Sequence, residues 1–213
     1  MRAAADEVLH VIGPWVLAGA EKQLAQAASR EARLGMRVEI LVLGPDWEEA
    51  LGPLAAPCPV VNLPGRPRGP ARLRALAEKV ERENWPLLAG QLFSGNLYAT
   101  AAAELTGRRA LVFEGGLEPW RRWHHRLACR WYWSRARLIE VNCRAVGEMV
   151  LACGGAASKL RVIPNGVEPG QPVTLRERRE AREWLGLGEG PVVAMVANLR
   201  LPKDPQTLLR ALA

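Results

Sequence analysis

The chain has 213 residues, 49% of them hydrophobic and 24% charged, with a formal net charge of +7. That length exceeds one typical domain and falls short of two; the composition excludes a disordered or low-complexity chain, and no apolar run reaches the roughly eighteen residues that a membrane span needs. The positive balance favours an acidic partner, whether nucleotide, phospholipid surface or nucleic acid, without choosing among them. The first residues lack the basic and apolar regions of a signal peptide, so cytoplasmic residence is expected. Cys58, Cys129, Cys143 and Cys153 show no two-residue spacing and no histidine at a ligand interval, so reduced, mostly buried thiols and no bound metal are expected.

Residues 8–12 form a short apolar run closed by Gly13 and Pro14, the pattern of a strand buried on both faces. A loop over 13–19 leads to a helix over 21–34, with Leu24, Ala27, Ala28 and Leu34 at helical spacing and Gly35 as its stop, and then to a strand over 37–43. The stretch 44–70 is rich in proline and glycine around a short strand at 59–63, and Pro70 opens a helix over 71–84. A strand over 87–93, a helix over 96–105 and a strand over 110–113 continue the alternation. After Gly115 and Gly116 come a helix over 118–135, a strand over 138–142, a helix over 144–152 and a strand over 161–163. Repeated βα units of this length predict an α/β fold with a doubly wound parallel sheet and right-handed crossovers. Ligands of such sheets sit beyond the carboxyl ends of the strands.

The ten residues 160–169 read as a short strand entering a tight Pro164-Asn165-Gly166 turn, where Gly166 is free to take positive φ and Pro164 stiffens the approach. This turn divides the chain into a domain over 1–165 and the start of a second over 166–213. The second part holds a charged helix over 174–185, an apolar strand over 191–197, and a helix opened by Pro205 with Leu208, Leu209 and Leu212 on one face. One strand and one or two helices do not bury a core, so a truncated product or a fragment is expected.

Four places carry candidate chemistry. Gly19, Ala20 and Glu21 stand at the mouth of the first helix, where backbone N–H groups and the positive end of the helix dipole suit an anion; a turn glycine and a helix-starting glutamate explain the same residues. Neither G-x-G-x-x-G nor a P-loop is present. Glu114 ends a strand and is a candidate catalytic base facing the ligand crevice, or a partner for a nearby loop. Arg200 and Lys203, in a loop after the apolar strand, are placed to clamp a phosphate, or are simply solvated. Finally, Trp120, Trp123, Leu127 and Trp131 share one stripe of a helix, with Arg121, Arg122 and Arg126 beside it. Burial of that stripe against the sheet is one account, and an anionic membrane meeting Trp and Arg is another; no RNA-binding signature accompanies them. His124 and His125 are adjacent, so their side chains are expected to diverge.

Taken in order, four segments resemble the retaining family-4 glycosyltransferases of GT-B architecture, which pair two Rossmann-like domains. They are the opening through Gly19-Ala20-Glu21 to Val38, the stretch 91–117 with Asn96-Leu97-Tyr98, the run from Val141 to Val146 followed by Leu160 to Val167, and residues 193–211 with Lys203-Asp204. The resemblance implies sugar transfer, with retention, from a nucleotide-sugar such as a UDP- or GDP-sugar to a lipid-linked or envelope-glycan acceptor, without a resident cofactor or metal. It implies an acceptor-binding Rossmann-like domain and a truncated donor domain, with Gly19 beside the donor phosphate or acceptor and Arg200 and Lys203 neutralising the diphosphate. It also implies Asn96, Ala20 and Glu21 on the acceptor side. Ala18, Cys143 and Asn198 stand where the family has Gly, Ser and Arg, its histidine near 114–116 is absent, and its paired donor-site glutamates are missing. A chain inactive by itself is the consequence. The alternative from another class is a non-catalytic module that binds a membrane surface or partner through its Trp/Arg helix.

Overall fold

The computed structural model of the chain describes residues 6–15, 18–44, 58–64, 67–116, 122–167, 169–197 and 203–212. They divide into two units, Met1–Gly166 and Val167–Ala213.

In the first unit seven strands, β1 (Glu7–Ile12), β2 (Arg37–Val42), β3 (Val60–Asn62), β4 (Leu87–Gln91), β5 (Arg109–Glu114), β6 (Leu138–Val141) and β7 (Leu160–Val162), form one sheet in the order β3-β2-β1-β4-β5-β6-β7. Every pairing is parallel. The described helices are α1 (Gly19–Arg33), α2 (Gly69–Arg82), α3 (Leu92–Thr106), α4 (Trp123–Arg135) and α5 (Arg144–Ala152). Parallel neighbours require crossovers, and reversal of the strand order between β1 and β4 requires the crossovers to change face there. The side chains record this. Val8 and Ile12 cluster with Leu24, Ala25 and Ala28 of α1, whereas the alternate residues Leu9 and Val11 cluster with Leu76 and Val80 of α2 and Ala99, Ala102 and Ala103 of α3. A third cluster joins Val112, Ile139 and Val141 to Cys129, Tyr132 and Trp133 of α4 and to Val146 and Val150 of α5.

Helix α3 lies close to the sheet because its inner face is small. A Cβ on Gly90 would stand 2.5 Å from Asn96 Cα and 2.8 Å from Asn96 N and Gly95 O, and one on Gly95 would strike the Val11 carbonyl. Only glycine admits backbone that near. The sequence places a strand through 93 and a helix from 96, yet β4 ends at Gln91 and α3 begins at Leu92. Leu92 makes the turn by itself at φ 59, so no linker separates the two elements.

The second unit contains two described helices, α6 (Leu175–Trp184) and α7 (Pro205–Leu212). Thr174 and Glu177 form a reciprocal capping box for α6. Asp204 caps α7 by accepting from Thr207 N at 3.2 Å and Thr207 Oγ1 at 2.7 Å. The expected strand over 191–197 is not formed. Strands exist through ladder partners, and among the described residues none pairs with this run; Val196 is fully exposed. No described helix is long and apolar enough to cross a membrane.

Candidate functional site

The strand order reverses between β1 and β4, so the crevice beyond their carboxyl ends is where a doubly wound sheet receives ligands. One wall is the start of α1. Its N-cap residue, Ala18, is extended (φ −127) and offers no side-chain cap, so the cap side chain satisfies none of the first-turn amides. Gly19 occupies the first helical position. A Cβ there would meet nothing within 4 Å and its φ is not left-handed, so neither turn nor packing demands glycine. Beside it Ala20 is half-buried and Glu21 is buried. The facing wall is the β4–α3 junction, where Ser94 Oγ approaches Gly13.

Two expected site residues prove to be part of the scaffold. Asn96 is fully buried; its Nδ2 donates to the Phe113 carbonyl at 2.9 Å and its Oδ1 accepts from Phe113 N at 3.1 Å, which locks the first turn of α3 to the end of β5. Glu114 is 1% exposed. Its Oε1 accepts from Tyr132 Oη at 2.6 Å, Trp133 Nε1 at 3.1 Å and, weakly, Asn96 Nδ2 at 3.4 Å. Strand alternation turns the side chain toward α4, so this buried carboxylate fastens α4 to the sheet and is not an exposed base.

The sequence reading missed a cavity of about 500 Å³ on the α1 face of the sheet. Crossovers beyond β1 lie on the opposite face, so here β4, β5 and β6 face open space beside α1. Among its lining residues are His10, Gln23, Glu31, Gln91, Phe113 and Glu140, and residues 163–166 form part of its wall. His10 Nε2 lies 2.7 Å from Glu31 Oε2. Burial pushes the Glu140 carboxyl above its ordinary pKa, with nearby His10 opposing the rise and Glu31 adding to it. The signal was present in the sequence: His10 and Glu140 interrupt otherwise apolar strands.

Gln23 of α1 pins the end of this unit. Its Nε2 donates to the Gly166 carbonyl at 2.8 Å and its Oε1 accepts from Gly166 N at 3.0 Å. Contrary to the sequence expectation, Gly166 does not adopt positive φ; the side-chain fork reads its backbone in an ordinary conformation. Pro164 and Asn165 are exposed beside it.

The remaining candidates divide. Trp120, Arg121 and Arg200 lie outside the described residues. Lys203 is exposed immediately before the α7 cap. On α4, Arg122 and Arg126 are exposed, and so is the aromatic stripe expected to pack on the sheet: Trp123 is 73% exposed, Leu127 56% and Trp131 37%. The buried face is instead Cys129, Tyr132, Trp133 and Ala136, because the Glu114 hydrogen bonds fix which side of the helix turns inward. His124 and His125 do not diverge; their rings are 4.1 Å apart because His125 Nδ1 turns back to accept from Arg122 N at 3.1 Å. Cys58 and Cys129 are buried, but Cys143 is exposed and Cys153 half-exposed, so the thiols are less buried than expected. Among the described residues no group of three His, Cys, Asp or Glu side chains is placed to hold a metal.

A doubly wound parallel sheet with an uncapped helix start at its switch point defines a Rossmann-like domain. Residues 18–166 match the model of the glycosyl transferase 4-like domain, and the chain belongs to that family. No curated protein matches it in sequence. Among solved structures, Anabaena Alr3699/HepE in complex with UDP and glucose is similar at TM-score 0.78 and 19% identity, over 97% of this chain and 57% of that one. A glycosyltransferase from Rickettsia africae ESF-5 is similar at TM-score 0.76 and 16% identity, over 97% and 56%. The lipopolysaccharide outer core galactosyltransferase WaaB in its apo form is similar at TM-score 0.57 and 13% identity, over 77% of this chain and 47% of that one. These likenesses establish the fold, and the chain spans little more than half the length of the first two structures.

Proposed function

We propose that this chain forms the acceptor side of a retaining glycosyltransferase that moves a sugar from a UDP- or GDP-sugar to a glycan or lipid-linked acceptor. The observation that carries this reading is Gly19: an uncapped helix start at the switch point, with open space where a side chain would stand. Backbone amides and the partial positive charge of about half a unit at that terminus suit a phosphate. Family membership and the fold shared with HepE, which was solved with UDP and with UDP-glucose, support the donor class.

In this reading Arg200 and Lys203 belong to the donor side and neutralise the diphosphate as it leaves, the electrostatic task a metal serves in other transferases. Glu114 and Asn96 hold the scaffold, and Ala20 and Glu21 set the wall of the crevice. Residues 167–213 belong to the donor side. Its working place is the cytoplasm, at the inner face of the cytoplasmic membrane.

Backbone amide NMR tests the Gly19 contact. UDP-glucose, GDP-mannose and a short-chain prenyl-diphosphate sugar are titrated separately. The expected result is movement of the Gly19 and Ala20 signals with at least one phosphate ligand, none with free glucose, and loss of the response in Gly19→Val. No movement at these amides with any of the three ligands refutes the contact.

A further inference from the structure

We infer that the outer face of α4 is a docking surface for an anionic phospholipid bilayer. Trp123, Leu127 and Trp131 recur every four residues and form an exposed ridge along the helix. A soluble helix normally turns such a stripe inward. Here the inward face is already occupied by Cys129, Tyr132 and Trp133, two of which are hydrogen-bonded to Glu114. The ridge is therefore an additional apolar face.

Charge identifies what covers it. Arg122, Arg126 and Arg130 run along one flank, all exposed, and the thirteen residues of α4 include no Asp or Glu; Arg135, at the helix end, pairs with Glu104 at 3.2 Å and is not counted among the free cations. Beside this flank Arg126 and Arg130 line a shallow cavity with Leu151, itself 40% exposed. A protein partner of ordinary composition requires no such uniform charge. Indole rings settle at the boundary between headgroups and acyl chains, while guanidinium groups pair with lipid phosphates, and a helix lying flat in the interface uses both. A helix with one ridge and one buried face docks on the bilayer without crossing it. The surface also has a connection to the crevice: Glu114, the last residue of β5, is bonded to the buried side of the same helix.

This inference stands apart from the donor chemistry, and its test uses no nucleotide-sugar. The 213-residue chain is sedimented with vesicles of phosphatidylcholine alone and with vesicles carrying about 30% phosphatidylglycerol. Partition into the anionic vesicles is expected, falling as salt rises. Arg126→Glu with Arg130→Glu should weaken it by about thirtyfold or more, from the loss of two interfacial cations. Trp123→Ser with Trp131→Ser should weaken it by about tenfold or more. A control, Arg178→Glu with Arg179→Glu on α6, makes the same charge change elsewhere and should retain most binding. All substituted side chains are exposed, and an unchanged near-ultraviolet dichroism spectrum confirms that each variant is folded. Equal loss in the control overturns the assignment to α4. So does absence of vesicle binding by the wild-type chain, binding to a single-stranded oligonucleotide in its place, or a dimer that buries Trp123 and excludes vesicles.

Discussion

Truncation of Glu114 separates a buried strut from a catalytic base. In Glu114→Ala the phenol of Tyr132 loses its 2.6 Å bond and keeps the Cys129 Sγ contact at 3.0 Å. Trp133 Nε1 loses its only acceptor among the described residues, while remaining 1% exposed. A hydrogen bond to a charged group contributes about 1.5–3 kcal/mol and a stranded buried donor costs about 1–3 kcal/mol, so a destabilisation of about 3–5 kcal/mol is expected. Glu114→Gln keeps the shape and one acceptor oxygen and should cost about 1–2 kcal/mol. Urea unfolding, followed by near-ultraviolet dichroism of the packed aromatic side chains, gives both values. The larger loss is a substantial part of the about 5–15 kcal/mol that holds a domain together. A loss below about 0.5 kcal/mol for Glu114→Ala, the usual result at an open surface site, would falsify the strut.

The glycines at the two walls of the crevice should behave oppositely. Gly90→Ala drives a methyl group into the backbone of Asn96 at 2.5 Å and should destabilise the unit by about 1–3 kcal/mol, whereas Gly19→Ala enters open space and should leave stability unchanged or up to about 0.5 kcal/mol higher; thermal unfolding compares them. For Glu140, the folded-state pKa is raised by burial, so the protonated side chain suits the fold. Its contribution is fully present below the ordinary carboxyl pKa and is lost as pH rises through the raised value. Glu140→Gln should therefore match the wild type in stability near pH 4 and exceed it at pH 7, and a difference that does not grow with pH counts against burial as the cause.

Much of the architecture was legible in the sequence because it rests on local rules. Apolar runs bounded by Gly and Pro marked β1, β2 and the later strands, and the helical spacing of Leu24, Ala27 and Ala28 marked α1. Their alternation is enough to require a parallel doubly wound sheet. Helix ends followed from similar cues, as at Gly35, which follows α1 in the left-handed region at φ 84. Gly19 also stood out in the sequence, although its two explanations could not be separated there.

Tertiary structure decided the features that depend on which groups meet. The inward face of α4 is one. Periodicity selects Trp123, Leu127 and Trp131 as a stripe, but a wheel has no knowledge of Glu114, which draws Tyr132 and Trp133 inward from a distant strand and leaves the more conspicuous stripe exposed. The same contact turns Glu114 from a candidate base into an anchor. Asn96 reads as a polar residue at the start of a helix until Phe113 is found within reach of its amide. The His10, Glu31 and Glu140 cavity required the sheet order, since only the change of crossover face at the switch point exposes that part of the sheet. A sequence states which faces are apolar and where the chain turns; partners far apart in the chain determine which face is buried, because hydrogen-bond satisfaction and close packing are settled between elements and not within them.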